Sequence, residues 1–408
     1  MQVNESIERN ISWGSNLMNI MMAYFANLAG ISGGLERTLC QLSNALNTRG
    51  HNVLIVVYND TDDLPFYPLN SSVRVIDLNN RHLSNKLRMK DKIKREWYRL
   101  WGKESFARWK GRQRAGLIPR FKNLYEEERP DIILSFNHQT SGELYEADVH
   151  SPVISLFRND PEQLCPQMTR TEKLGIERSA CIQVLLPYFE KSIKRYIENP
   201  NIVYIPNAIP KFARKAYDKK DKKTYTILNV GRINPKQKRQ HLLVEGFAQI
   251  ASKYPEWNLK IWGGDHGKYV EKMKRYIHTK NLDDRILFMG RTHQIENEYN
   301  KADIFGFPSS YEGFPNALGE AMSAGLPSVV CSDCTSTCEL ISNEYNGLIA
   351  DPSSEDIARK LEYLMQDKQK RVELGKAAVL TMEQYSPNRI WNQWDDVIKQ
   401  VVQEYKRE

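Results

Sequence analysis

Apolar residues fall along this chain in short unbroken runs, separated by stretches where they recur every three or four positions. Residues 19–25 (Asn19-Ile20-Met21-Met22-Ala23-Tyr24-Phe25) form the first run. Leu39, Leu42, Ala45 and Leu46 then fall at helical spacing, Arg49-Gly50-His51 interrupts them, and residues 53–58 form a second run. Short apolar runs bounded by turn formers predict buried strands, and three-and-four spacing predicts an amphipathic helix. Strand, glycine turn, helix and strand together predict the βαβ unit of a parallel sheet. Further strands are predicted at 131–136, 152–157, 181–186 and 202–208. A second α/β series follows, with strands at 226–230, 259–262, 286–289, 304–307 and 328–330. The chain closes with an amphipathic helix carrying Trp391, Trp394, Val397, Ile398 and Val401 after Tyr385-Ser386-Pro387.

A chain of 408 residues is too long for one ordinary core, so two α/β domains are expected. Residues 1–16 read as a polar extension and 17–209 as an amino-terminal domain. Residues 210–223, with Pro210 and many lysines but no apolar period, read as a linker. Residues 224–382 form the second domain and 383–408 a terminal helix that crosses back to the first. No run of about 18 apolar residues predicts a membrane span. The start is polar and acidic where a signal peptide needs a basic start and an apolar core, so a cytoplasmic protein is expected. Six cysteines in a chain of this length predict thiols rather than a disulfide framework.

Charge changes the picture in one place. The formal net charge is +8, yet residues 81–122 hold fifteen Lys/Arg against Asp91, Glu96 and Glu104, so the remainder is slightly acidic. Trp97, Leu100, Trp101, Phe106 and Trp109 fall on or near a helical stripe there. A basic, tryptophan-bearing segment suits an anionic membrane surface, and a solvated helix packing its tryptophans on the domain fits equally. Nucleic acid is not expected as a partner, because no nucleic-acid motif accompanies the charge.

The chemistry-bearing stretch is Ser309-Ser310-Tyr311-Glu312-Gly313-Phe314-Pro315-Asn316-Ala317-Leu318-Gly319-Glu320. It joins a buried strand to a helix whose first amides have no intrahelical partner, which makes an anion site. A carboxylate at each end, Glu312 and Glu320, suits a ligand anionic in the middle with hydroxyls at both ends, as a nucleotide-sugar is. Gly33-Gly34 is a second phosphate-loop candidate, since such a turn lets backbone approach a ligand closely. Its spacing is not that of G-x-G-x-x-G, which counts against a nicotinamide oxidoreductase. His138, Arg158 and Asp160 lie just past the ends of predicted parallel strands, where such sheets bind ligands, and are candidates for the acceptor side. Cys331-x2-Cys334-x3-Cys338 has no histidine near it and lacks a fourth zinc ligand, so incidental thiols are expected.

The pattern Glu312-x7-Glu320 around Gly313-Phe314-Pro315 resembles the signature of family-4 retaining glycosyltransferases of the GT-B fold. Gly319-Glu320-Ala321-Met322-Ser323-Ala324-Gly325-Leu326-Pro327, Gly33-Gly34-Leu35-Glu36-Arg37, Gly231-Arg232-Ile233 with Lys238, Ile205-Pro206-Asn207 and Asn346-Gly347-Leu348 are similar to further motifs of that family, in the same order. The segment Ser155–Pro161 resembles a bacterial subgroup of hexosyl- and N-acetylhexosaminyl-transferases of surface polysaccharide assembly. The resemblance implies two Rossmann-like domains facing across a cleft and transfer from a nucleotide-sugar, most simply UDP-linked, to a lipid-linked or membrane-near glycan. It implies that Glu320 holds the ribose hydroxyls and that Glu312 lies beside the donor sugar, as a catalytic or a positioning group. The amides of Phe314, Asn316, Ala317 and Leu318 would reach the sugar and diphosphate, Arg232 and Lys238 would neutralise the diphosphate, and Gly33 and Gly34 would close over the phosphates. No cofactor and no metal are implied. Many family members carry a histidine where this chain has Arg158. A non-catalytic nucleotide-sugar-binding scaffold of the same fold is the alternative.

Overall fold

The computed structural model describes residues 17–79, 116–213, 216–218, 222–264 and 267–407. Residues 1–16 and the larger part of the basic segment, with Trp97, Leu100, Trp101, Phe106 and Trp109, lie outside the described residues. Thirteen strands are described. They are β1 (Asn19–Tyr24), β2 (Asn52–Val57), β3 (Arg74–Asp77), β4 (Ile132–Ser135), β5 (Val153–Phe157), β6 (Cys181–Val184) and β7 (Ile202–Tyr204). After these come β8 (Tyr225–Val230), β9 (Trp257–Trp262), β10 (Ile286–Gly290), β11 (Ile304–Phe307), β12 (Ser328–Cys331) and β13 (Leu348–Ala350). Their orders are β3-β2-β1-β4-β5-β6-β7 in one sheet and β10-β9-β8-β11-β12-β13 in the other.

Every predicted strand is present, and the two sheets are parallel with helices between the strands, as the alternation of periods requires. The chain packs as two units, residues 1–155 with 400–408, and residues 156–399. In the first unit β1 pairs with β2 in register from Asn19↔Asn52 to Tyr24↔Val57. The helix Gly34–Thr48 buries Leu39, Leu42, Ala45 and Leu46, the face its spacing predicts. It ends at Gly50, whose φ of 97° is open to glycine and strained for other residues, and the amide of His51 closes the turn on the Leu46 carbonyl (3.2 Å). Leu117, Phe121 and Leu124 of the helix Leu117–Glu128 pack under the same sheet, with Phe25 edge-on to Phe121 at 4.9 Å. At the chain's end Tyr405 Oη donates to the His150 carbonyl (2.6 Å).

In the second unit the six-stranded sheet is filled from both faces. Ile227, Leu259, Ile261, Ile304 and Val329 face one apolar cluster, and Leu228, Phe305, Phe307 and Val330 face another. Trp257 is buried at the start of β9, stacked on Tyr225 at 4.9 Å, with the Arg371 guanidinium 5.3 Å over its ring. Phe212, in the lysine-rich stretch between the two series, is buried edge-on to Tyr299 at 5.7 Å. Two strands had no sequence signal of their own, β3 and β13. Each has three or four residues, and β3 is half exposed at a sheet edge.

Replacing Trp257 by Ala removes the ring stack, the cation contact and a fully buried indole. A loss of about 3–5 kcal/mol is expected, read as a lower denaturant midpoint in a urea titration.

Candidate functional site

The short strand β11 ends at Phe307, and Pro308 turns the chain into the stretch that carries both glutamates. The helix Asn316–Ser323 begins two residues earlier than the apolar run alone suggests. Its first bond is donated by Gly319 to the Pro315 carbonyl (3.0 Å), so the amides of Ala317 and Leu318 have no partner at i−4. The Asn316 amide is turned back onto the Phe314 carbonyl (2.9 Å). Phe314 is buried, its ring 5.6 Å from that of Tyr385, which fixes the turn ahead of the helix. Glu320 is buried on the helix itself.

Glu312 is also buried, and Lys238 meets it: Nζ lies 2.5 Å from Oε1 and 4.8 Å over the Phe307 ring. The pair joins the loop after β8 to the loop after β11. Removing two charges from water costs several kcal/mol per ion, and attraction inside the protein roughly repays it. The pair therefore contributes little to stability and much to placement, because it fixes a cation against the turn that leads into the helix. The hydroxyl of Ser336 donates to the Glu312 carbonyl (2.6 Å) and holds the same loop from below.

Arg239 is not among the residues the sequence singles out. In the structure it sits at φ 46°, a conformation costing roughly 1–2 kcal/mol for a residue with a side chain. Its guanidinium donates to both carboxylate oxygens of Asp333 (2.7 Å each), to the Pro308 carbonyl (2.9 Å) and to the Ser309 carbonyl (3.1 Å). Four bonds to charged or carbonyl oxygens outweigh that cost. Arg239 clamps the β11 loop against the β8 loop, and Ser310 adds a backbone bond to the Gln237 carbonyl (2.8 Å). Arg232, by contrast, is exposed just past β8, its carbonyl accepting from Gln240 (3.1 Å).

Arg158 follows β5. Its guanidinium donates to Asn207 Oδ1 (2.8 Å), and burial pushes its pKa down to about 9. Asn207 Nδ2 donates in turn to Asn316 Oδ1 (2.9 Å). A Cβ built on Gly313 would stand 2.0 Å from the Arg158 carbonyl oxygen, so the Glu312 turn and the turn after β5 touch through backbone. Asp160 caps the short helix Pro161–Leu164 by accepting from the Glu162 amide (3.0 Å), and burial raises its pKa.

In the first unit, Gly33 is the N-cap of the helix Gly34–Thr48. Space above it is taken by Glu36, whose carboxylate would overlap a Cβ on Gly33. Glu36 is buried and accepts from Tyr24 Oη (2.7 Å), and burial together with this carboxylate drives the phenol pKa upward. His138 opens the helix His138–Ala147, behind Asn137, whose side chain accepts from the Thr140 amide (2.7 Å). The structure thus brings Lys238, Glu312, Arg158 and the Asn316 helix together within one unit, and places Gly33, Gly34 and His138 in the other.

Among the described residues no three His, Cys, Asp or Glu side chains are arranged to hold a metal ion. Cys331 and Cys334 are buried free thiols, pushed up by burial to about 12 and about 11, and Cys338 is partly exposed. No described helix is long and apolar enough to cross a membrane.

Comparison with known proteins places this geometry. The fold is GT-B: a structure of Anabaena Alr3699/HepE in complex with UDP and glucose superposes with a TM-score of 0.71 at 16% identity, covering 94% of this chain and 99% of that one. Residues 211–380 match the family described as "Glycosyl transferases group 1". An uncharacterized glycosyltransferase of Haemophilus influenzae is 28% identical over 203 residues, 50% of this chain, so the match spans about half of that relative's length (54%). A Campylobacter jejuni relative is 23% identical over 91% of this chain and 96% of its own. Its name is GalNAc-alpha-(1->4)-GalNAc-alpha-(1->3)-diNAcBac-PP-undecaprenol alpha-1,4-N-acetyl-D-galactosaminyltransferase.

Replacing Gly313 by Ala forces the Glu312 turn off the Arg158 carbonyl. A cost of about 1–3 kcal/mol is expected. Urea midpoints measure it, and an unchanged midpoint would show that the close approach is not needed.

Proposed function

We propose that this protein is a retaining, metal-independent glycosyltransferase. It moves a hexose or N-acetylhexosamine from a UDP-linked donor to a lipid-linked or membrane-near glycan in polysaccharide or glycoconjugate assembly. The observation that carries the proposal is the Lys238–Glu312 pair beside the start of the helix Asn316–Ser323, inside a glycosyl transferases group 1 domain. The UDP in the Anabaena neighbour's title and the undecaprenol-linked glycan in the C. jejuni relative's name support the donor and acceptor classes.

The chemistry follows from charge. As the bond from the anomeric carbon to the β-phosphate oxygen breaks, the departing diphosphate gains negative charge. The free amides of Ala317 and Leu318, Lys238 and Arg232 meet that charge without a metal, and preorganised donors of this kind cost no reorganisation as the reaction proceeds. The acceptor hydroxyl oxygen forms the new bond on the face the leaving group vacates, and its proton passes to the departing phosphate oxygen. Glu312 holds Lys238 in place and lies at the sugar end, and Glu320 takes the ribose hydroxyls. Arg158, Asp160 and His138 belong to the reading of the acceptor side, and Gly33 and Gly34 to closure over the phosphates.

A UDP-release screen over UDP-Glc, UDP-Gal, UDP-GlcNAc and UDP-GalNAc with a lipid-diphosphate acceptor is expected to show turnover with one donor. Glu320→Ala should weaken UDP binding about tenfold or more, since two hydrogen bonds to a charged group are lost. No turnover with any donor, together with unchanged UDP binding in Glu320→Ala, would overturn the proposal.

We also propose that the basic segment 81–122 docks on an anionic membrane surface. Co-sedimentation with phosphatidylserine vesicles should weaken as salt rises. It should also drop on replacing Lys92, Lys94, Arg95 and Arg99 by Gln, at about 1 kcal/mol per charge removed. Equal sedimentation by that variant would contradict docking.

A further inference from the structure

Asn207, just past β7, is buried and uses both ends of its amide. Its oxygen accepts from Arg158 (2.8 Å) and its nitrogen donates to the side chain of Asn316 (2.9 Å). One side chain therefore joins three separate pieces of chain: the turn after β5, the segment after β7, and the first residue of the helix Asn316–Ser323. The turn preceding that helix reaches the same arginine independently, through the approach of Gly313 to the Arg158 carbonyl. Two contacts to one residue fix both the position and the rotation of the helix start.

We infer that Asn207 is a positioning residue for the diphosphate end of the donor, holding the free amides of Ala317 and Leu318 in register with the strand end at Arg158. The inference rests on the donor reading above and names a residue which that reading does not use. Geometry explains why such a brace is needed. Amides that stabilise a leaving group must point at where its charge develops, and a misplacement of about 1 Å can cost about 100-fold. The helix has only eight residues, too few to hold its own direction by length. Releasing either end of a buried amide leaves a polar atom unsatisfied, at about 1–3 kcal/mol, so the brace resists reorientation. Arg158 then belongs to the frame of the donor site, anchored at one end of the brace.

The test is a double-mutant cycle on the intact chain, with UDP affinity measured by calorimetry and donor KM and kcat by UDP release. Asn207→Ala and Asn316→Ala should each weaken UDP about fivefold, the worth of one hydrogen bond. The double variant should bind no worse than either single one. Asn316→Ala, at a half-buried position, gives the answer even where an Asn207 variant loses its cooperative melt. Additive effects in the double variant, or unchanged UDP affinity in Asn316→Ala, would overturn the inference while leaving the donor reading intact. Wild-type protein that binds no nucleoside diphosphate would remove both.

Discussion

The turn that holds Glu312 lies so close to the carbonyl of Arg158 that no Cβ fits between them. Much of the candidate site follows from that backbone approach. It sets where the β11 loop ends and where the helix Asn316–Ser323 begins. Arg239 and the Lys238–Glu312 pair then bind the β8 loop to the same turn. Each of these contacts is modest alone. A buried ion pair is near neutral in net stability, and a left-handed arginine is unfavourable until its four acceptors are counted. Their shared effect is to bring cations and unpaired amides to one side of one short helix.

A parallel sheet makes this economical. All of its strands end on the same edge, so loops after β8 and β11 meet without any long connection. The helix after β11 starts at that edge with its positive end toward the loops. The carboxylates have different tasks in that setting. Glu312 steadies a cation through an ion pair, and Glu320 is buried within the helix, four residues after its first.

Most of the fold was legible because period carries it. Short apolar runs such as Met21-Met22-Ala23 and Ile132-Ile133-Leu134, bounded by polar and turn-forming residues, favour strands buried on both faces, and Leu39, Leu42 and Leu46 recur at the spacing of one helix face. The strand β3 was not legible, since its four residues carry Arg74 and Asp77 at their ends and are half exposed at a sheet edge, and β13 follows directly on the Asn346-Gly347 turn, whose motif took in its first residue. In the site, Glu312, Glu320 and Lys238 announced themselves through spacing and a recognisable neighbourhood. Arg239, Asn207 and Glu36 did not. Arg239 looked like one of several surface cations, because a positive φ and a carbonyl clamp leave no trace in residue order. Asn207 stood in a motif that resembled the family's, yet its partners Arg158 and Asn316 are 49 and 109 positions away. Glu36 stood inside the Gly33-Gly34-Leu35-Glu36-Arg37 motif without a role of its own, and its burial beside Tyr24 is what the structure adds.

The central claim is that the start of the helix Asn316–Ser323, with Lys238 beside it, holds a diphosphate. Calorimetric affinities of the intact protein for UDP and UMP address it most directly, because the two ligands differ only in the phosphate that should lie there. The account expects UDP to bind about tenfold or more tightly than UMP, the worth of one charge-assisted contact. Equal affinities would contradict it.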